Sequence, residues 1–215
     1  MNCTINVDLI PGYEAISALP EGVCPVDWVK RCIDIARNSN CGKSVMCRDG
    51  MTQLQAIISD LVRGRGESED IALLRDLGKV IAEAGGCALA EKAAKNLLYS
   101  LDHYGDEWDA HCKRHRCAAM ICPAYYNIYI DPAACTGCGA CCKAAPEGSI
   151  AGGEGLIHVV KDDAELKNSE FISVCPTGAI KKWAGPVKPK MPEEPVPVGS
   201  FSGEEAGGRR RRRRG

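Results

Sequence analysis

Apolar residues recur every three or four positions in several stretches of the first half of the chain, as in helices that bury one face. The stretches cover residues 25–38, 53–62, 71–81 and 89–101, and a shorter one ends near Arg116. Pro25 suits a first helical turn, where the missing amide hydrogen costs nothing. The pattern therefore predicts a bundle of four or five helices between about residues 25 and 116.

From Tyr125 the pattern changes to the alternation of a strand, with Tyr126, Ile128 and Ile130 on one face. Two further strand candidates cover residues 157–160 and 179–183. The predicted fold class is α+β, with an N-terminal helical bundle followed by a small βαβ domain.

The last part of the chain differs in composition from the rest. From Gly185 it is rich in Pro and Gly, which predicts a disordered tail over residues 185–215. It ends in six arginines, 209–214; without them, 21 basic residues stand against 28 acidic ones. Such a tail would bind phosphates non-specifically. The rest of the chain is acidic and lacks a basic recognition helix, which argues against nucleic acid as the partner. The arginine tail is interpreted instead as binding an acidic surface of a partner protein, or as having no role.

The chain has 14 cysteines, so either disulfides or metal centres must account for most of them. Its N-terminus shows no secretory signal, and no stretch has the length of a transmembrane helix. We therefore expect a cytoplasmic protein without a membrane span, in which reduced, clustered cysteines bind metal.

Residues 135–148, CTGCGACCKAAPEG, begin like the C-x2-C-x2-C-x3-C-P run of bacterial ferredoxins, but Ala145 replaces the fourth cysteine. The ending of a second such half-motif occurs later, as Cys175 in SVCPTGAI. We predict a ferredoxin-like domain over residues 123–184 that binds one [4Fe–4S] cluster through Cys135, Cys138, Cys141 and Cys175.

Two alternatives remain open at this loop. A C-x2-C spacing also suits a four-cysteine zinc site, although three cysteines at consecutive two-residue gaps favour a cubane. Cys142 is interpreted as a thiol that is not a ligand, or as a replacement for Cys141.

Two stretches of the helical region, SNCGKSVMCRDG at 39–50 and GGCALAEKAAKNLLYSL at 85–101, carry a family resemblance. They resemble the C-terminal iron–sulfur domain of the NADH-binding flavoprotein subunit of respiratory complex I. Matching subunits of NAD-linked formate dehydrogenases and electron-bifurcating [FeFe] hydrogenases are similar. In that family a C-G-x-C-x-P-C-R-x-G loop and a distant C-A-L bind a [4Fe–4S] cluster that takes electrons from FMN. The resemblance covers residues 22–122 and matches Cys41, Gly42, Cys47, Arg48, Gly50 and Cys87.

One departure from this family matters chemically. Ser44 stands where the family has a cysteine ligand, and Met46 replaces its proline. A serine hydroxyl is a poor ligand beside soft thiolates. A serine-ligated cluster, a three-iron cluster on Cys41, Cys47 and Cys87, and a cluster-free bundle all remain open. Cys32 is interpreted as a substitute ligand or as a core residue.

The segment DAHCKRHRCAAMICPA, residues 109–124, resembles the joint that follows the bundle in bifurcating-hydrogenase subunits. There, a zinc ion also takes a cysteine from just before the bundle. The resemblance implies a zinc site formed by Cys24, His111, Cys117 and Cys122. His115 or Cys112 is an alternative ligand, and a solvated His111 is the alternative without metal. His103 and His158 are interpreted as ordinary surface or core residues.

The family's FMN and NADH sites lie in a preceding glycine-rich domain, and this sequence contains no G-x-G-x-x-G motif. We expect an electron-transfer subunit, without catalytic residues or a flavin or nicotinamide site of its own. It would relay electrons in an NAD(P)H- or ferredoxin-linked, or electron-bifurcating, oxidoreductase. Its partners would be flavoprotein, hydrogenase or formate dehydrogenase subunits. The alternative is a scaffold or assembly protein with a cluster-free or zinc-stabilised bundle that docks the ferredoxin domain.

Overall fold

A computed structural model describes residues 5–84 and 86–201 of the chain. It divides into two compact units, the first ending at Tyr126 and the second beginning at Asn127. The helices of the first unit are α1 (Tyr13–Ser17), α2 (Pro25–Asn38), α3 (Met51–Val62), α4 (Asp70–Ala84), α5 (Ala88–His103) and α6 (Gly105–Lys113). Short 3-10 turns lie at Val7–Leu9 and Pro123–Tyr125, and a π-helical turn at Met46–Gly50.

The predicted bundle is confirmed in its helices. The 3.6-residue periodicity gave the bounds of α2 and located α3, α4, α5 and α6 to within a few residues. Their apolar faces form one core, whose largest fully buried side chains include Ile33, Leu54, Ile58, Leu74, Ile81, Leu89, Leu97 and Trp108. The indole of Trp108 donates a hydrogen bond to Ser100 Oγ at 2.9 Å, which satisfies its only polar atom inside this core.

The core also includes a segment that lies before the predicted start of the domain at residue 22. Ile10 and Ile16 are fully buried. Two hydrogen bonds fix this segment: Asn96 Nδ2 donates to the Pro11 carbonyl at 3.0 Å, and the Tyr104 hydroxyl to the Ile16 carbonyl at 2.7 Å.

The π-helical turn Met46–Gly50 continues directly into α3 and brings Cys47 inside the bundle. Gly50 packs closely on α4, because a Cβ there would lie 2.9 Å from Ile81 Cδ1. Isolated π-helical turns are frequent at functional sites, and no pattern in the sequence predicted this one.

The second unit contains β1 (Asn127–Ile130), α7 (Ala140–Ala144), β2 (Ile150–Ala151), β3 (Val159–Val160), α8 (Ser169–Ser173) and β4 (Ile180–Trp183). β1 pairs with β4, from Asn127 opposite Trp183 to Ile130 opposite Ile180, and β2 pairs with β3. Both pairs are antiparallel. The α+β class is confirmed. The strands β1 and β4 form one antiparallel pair, and the β2–β3 hairpin forms the other.

The predicted disorder from Gly185 is wrong for part of the segment. The Ile157 amide donates to the Val196 carbonyl at 2.7 Å, and the Val198 amide donates to the Gly155 carbonyl at 3.0 Å. Pro195 and Pro197 favour an extended backbone. In this conformation the Val196 carbonyl and the Val198 amide can pair with the backbone of residues 155–157. Residues 202–215, which include the six arginines, lie outside the described residues.

The helices of the structure are too short or too polar for a bilayer. Among residues 5–84 and 86–201, no helix has both the length and the apolar character needed to cross a membrane.

Candidate metal centres

The first candidate centre, the Cys/His quartet, consists of Cys24, His111, Cys117 and Cys122. All four side chains are buried, and one potential ligand atom of each lies within 4.8 Å of the others. His111 Nε2 is 3.3 Å from Cys122 Sγ and 3.5 Å from Cys24 Sγ. The structure thus brings together the four residues that the family resemblance implied as a zinc site.

Different elements position these ligands. Cys24 is the N-cap residue of α2, and His111 lies on α6. Cys117 and Cys122 belong to the loop that follows α6, where Met120 adopts φ +48° and its amide donates to the Cys117 carbonyl. The two alternative ligands lie outside the group, since His115 is exposed and Cys112 is buried elsewhere.

The surroundings of His111 orient its ring. His111 Nδ1 lies 2.7 Å from the Glu107 carbonyl, so Nδ1 carries the hydrogen and donates it. The Tyr125 ring packs edge-on against the imidazole, with centroids 5.0 Å apart. Nε2 therefore faces the three cysteines, as in sites where a backbone carbonyl orients a metal-binding histidine.

The pKa values of Cys117 and His111 show that the four side chains of the quartet interact strongly with one another. Hydrogen bonds from the thiols of Cys122 and Cys24 lower the pKa of Cys117, against burial, which raises it. Burial lowers the pKa of His111, but its contacts with Cys117 and Cys24 outweigh burial and raise the value to about 10. A cation that binds here has to displace protons, the usual coupling at thiolate and imidazole sites.

The second candidate centre, the bundle loop, consists of Cys41, Ser44, Cys47 and Cys87. The sulfurs of Cys47 and Cys87 lie 3.4 Å apart, and both side chains are buried. Cys41 is exposed, and its sulfur does not join theirs within 4.8 Å in the described part of the chain. The structure therefore gathers two of the three predicted thiolates.

Ser44 makes a contact that its sequence position alone did not indicate. It precedes the π-helical turn, and its Oγ accepts a hydrogen bond from the Cys47 amide at 3.5 Å. Helix-capping serines make contacts of this kind. Arg48 fixes the same loop, because its guanidinium donates to the Gly42 carbonyl at 3.3 Å. Cys32 is a core residue: it is buried, and burial raises its pKa to about 11.

The third candidate centre, the cysteine loop of the second unit, consists of residues 135–142 and Cys175. Gly137 and Gly139 have φ of +69° and +72°, and a Cβ on Gly137 would lie 2.9 Å from the Gly155 backbone. The Thr177 hydroxyl donates to the Ala134 carbonyl at 2.7 Å. This bond joins the segment that follows Cys175 to the residue that precedes Cys135, at the start of the loop.

The cysteines of this loop differ in their environments. Burial raises the pKa of Cys141 to about 12 and also raises that of Cys142. At Cys175, burial acts against hydrogen bonds from Thr177 and from backbone amides, and the net effect lowers the pKa. The Ala179 amide donates to Cys175 Sγ at 3.3 Å, a contact that favours a thiolate and suits a cluster ligand.

The interpretation of His158 as an ordinary residue missed its place beside these cysteines. His158 is buried, its Nδ1 lies 3.6 Å from Cys135 Sγ, and it forms a group within 4.8 Å with Cys141 and Cys142. Burial lowers its pKa. No spacing rule links residues 135 and 158, because the β2–β3 hairpin brings them together.

A protein family described as the NADH-ubiquinone oxidoreductase-F iron–sulfur binding region matches residues 27–111. The helical bundle belongs to this family. The resemblance inferred from Cys41, Cys47 and Cys87 is therefore confirmed for the helical bundle, including the loop in which Ser44 departs from the family's pattern.

Two individual relatives are subunits of oxidoreductases, in agreement with this family match. The HndC subunit of the NADP-reducing hydrogenase of Solidesulfovibrio fructosivorans is 32% identical over 143 residues, which are 66% of this chain and 29% of the relative. The F subunit of the NADH-quinone oxidoreductase of Mycobacterium tuberculosis H37Rv is 35% identical over 106 residues, 49% of this chain and 24% of the relative. The chain thus spans less than a third of these relatives. The 143-residue match exceeds the first unit, which ends at residue 126, so the likeness to the hydrogenase protein reaches into the second.

Proposed function

We propose that this chain is an iron–sulfur electron-transfer subunit of a multi-subunit oxidoreductase linked to NAD(P)H or ferredoxin, the electron-bifurcating type included. One observation carries the proposal. A bundle that matches the oxidoreductase-F iron–sulfur family is followed, in the same chain, by a second unit in which a hydrogen bond joins the Cys175 segment to the start of the ferredoxin-type cysteine loop. Relatives named as hydrogenase and NADH-quinone oxidoreductase subunits support it.

The second unit would bind a [4Fe–4S] cluster through Cys135, Cys138, Cys141 and Cys175. The residues fit such a group, because two glycines with positive φ let the loop turn tightly around it. The backbone amide on Cys175 adds a donor for a ligating sulfur. Clusters of this type supply one-electron uptake and release, at a potential set by hydrogen bonds, charge and exposure.

The bundle would contribute a structural zinc ion at the Cys/His quartet. Three thiolates and one imidazole within reach of a single point suit tetrahedral zinc. At the bundle loop, Cys41, Cys47 and Cys87 would hold a second iron–sulfur cluster, with Ser44 in the position of the fourth ligand. The buried pair of Cys47 and Cys87 supports this site, and Cys41 would contribute the third thiolate from an exposed position.

Metal analysis of the full chain, purified without oxygen and together with its natural partners, tests the proposal. We expect about four irons and four sulfides for the ferredoxin-type cluster and about eight of each if the bundle loop is also occupied. One zinc is expected in addition. Colourless protein without sulfide would contradict the proposed function. Co-purification of flavoprotein, hydrogenase or formate dehydrogenase subunits would identify the partner.

A matched pair of variants tests the ligands of the second unit. Cys175→Ala should abolish the EPR signal of the reduced ferredoxin-type cluster, because it removes one thiolate from iron. Cys142→Ala should retain the signal, since Cys142 is not among the four proposed ligands. Loss of the signal in the Cys142 variant alone would show that the assignment is wrong.

A second candidate function is a scaffold or assembly protein in which a zinc-stabilised, cluster-free bundle docks the ferredoxin domain onto a partner. The hydroxyl of Ser44 favours it, because Ser44 stands where the family has a thiolate ligand and its Oγ faces the Cys47 amide at 3.5 Å. The same metal analysis separates the two functions: one zinc with four irons leaves the bundle without a cluster, whereas eight irons place one in it.

A further inference from the structure

His158 is an uncommon kind of buried residue. It lies immediately before β3, and only 2% of its surface is exposed. Its Nδ1 is 3.6 Å from Cys135 Sγ, whereas its Nε2 is buried without a hydrogen-bond partner among the residues that the structure describes. Nearly all buried polar atoms in proteins have a partner, so a histidine in this position needs a physical reason.

Packing fixes the ring in place. A Cβ on Gly152 would lie 2.3 Å from His158 Cδ2, so the imidazole lies directly against the Gly152 backbone. Its neighbours in sequence, Ile157 and Val159, are both buried. The hairpin therefore presents Nδ1 to Cys135 by steric contact, without help from a hydrogen bond at Nε2.

The choice between a ligand and a hydrogen-bond donor follows from the cysteines. The loop and Cys175 already offer four thiolates for the four irons of a cubane, so no iron requires an imidazole. A thiolate bound to iron has no hydrogen and can only accept. The contact between His158 and Cys135 is therefore a hydrogen bond only if Nδ1 carries a hydrogen.

We propose that His158 donates a hydrogen bond from Nδ1 to the thiolate of Cys135 and thereby raises the reduction potential of the cluster. This inference rests on the proposed ferredoxin-type cluster. One-electron reduction adds negative charge that spreads onto the ligand sulfurs, so a donor stabilises the reduced form more than the oxidised form. His158 is thus a tuning residue, and its role is separate from holding the iron.

The test is an anaerobic redox titration of the full chain, monitored by the EPR signal of the reduced cluster. In His158→Leu the donor is lost, and we expect the reduction equilibrium to shift about tenfold toward the oxidised form, or about 59 mV for one electron. In His158→Asn the amide nitrogen takes the place of Nδ1, and the potential should stay near that of the unsubstituted protein. His103→Asn, at an exposed histidine of the first unit, is the control.

Should the Leu variant fail to assemble, His158→Gln replaces it, because its longer side chain places the amide away from the Nδ1 position. An unchanged potential in a Leu or Gln variant that retains four irons would overturn the inference and leave the proposed function intact. Strong hyperfine coupling of 15N-labelled histidine to the cluster would also overturn it, in favour of iron ligation. If the unsubstituted chain holds neither iron nor sulfide, the proposed function itself fails, and this inference with it.

Discussion

The helical bundle contains two groups of potential ligands that differ in how closely they are packed. In the Cys/His quartet all four residues are buried and converge within 4.8 Å. In the bundle loop two sulfurs lie 3.4 Å apart, while Cys41 is exposed. The quartet draws its members from a helix N-cap, a helix and a turn, all of which the core packing holds.

The chemistry of the two groups explains part of this difference. A single zinc ion needs four ligand atoms around one point, and packed side chains can be brought that close. A cluster binds each thiolate at a different iron and therefore spreads its ligands over a larger space. A bundle can preassemble the first arrangement by packing, whereas the second depends on a loop. We infer that a zinc ion at the quartet would stabilise the bundle by joining elements that its core already packs together.

We expect the largest loss of folding stability when one residue of the Cys/His quartet is removed. Cys122→Ala removes one of the four proposed zinc ligands and would leave two cysteines and a histidine buried without a complete coordination shell. Loss of a structural metal site is among the few single changes that cost about 4 kcal/mol or more. We expect the zinc content to fall, and the free energy of unfolding in denaturant titrations to drop by at least that amount.

Cys112→Ala is the matched control for this variant. Cys112 is also a buried cysteine and lies next to His111 on α6, but it is not a member of the quartet. It should retain zinc and lose only the free energy of a small cavity, on the order of 1 kcal/mol. Equal destabilisation in the two variants would show that the quartet is ordinary core.

The next effect concerns a buried thiol that belongs to neither group. Burial raises the pKa of Cys32 from its ordinary value of 9.0 to about 11. A folded-state pKa above the unfolded one means stability that is complete below pH 9 and is lost as the pH rises toward 11. The loss amounts to about 2 to 3 kcal/mol for this one group.

Unfolding of the wild type and of Cys32→Ala at about pH 7 and about pH 10.5 measures this contribution. The variant should lose less stability between the two pH values than the wild type, and its iron content should match the wild type. A drop in iron would show instead that Cys32 substitutes for Ser44 as a ligand of the bundle loop.

Particular residues show which features the sequence could predict. The helices of the bundle follow from apolar periodicity, which is local, and the quartet followed from a family resemblance that named its members. The position of His158 beside Cys135 depends on a hairpin between them, and the pairing of Val196 with Ile157 depends on a neighbouring strand edge. Composition predicted a disordered tail there from its Pro and Gly content. That content does not show that Val196 and Val198 find backbone hydrogen-bond partners elsewhere in the unit.

The smallest effect on stability, and the sharpest test of the bundle loop, comes from Ser44. Ser44→Ala removes the contact with the Cys47 amide, which at 3.5 Å is long for a hydrogen bond, and should cost less than about 1 kcal/mol. Ser44→Cys also loses that oxygen, but it restores the family's fourth thiolate. If the loop binds a cluster when it has four thiolates, the Cys variant should hold more iron and sulfide than the Ala variant. Ser68→Cys, in an exposed position before α4, controls for an added thiol. Equal iron in all three variants would mean that a fourth thiolate at residue 44 does not let the loop bind a cluster. The absence of that thiolate would then not explain why the loop is less closely packed than the quartet.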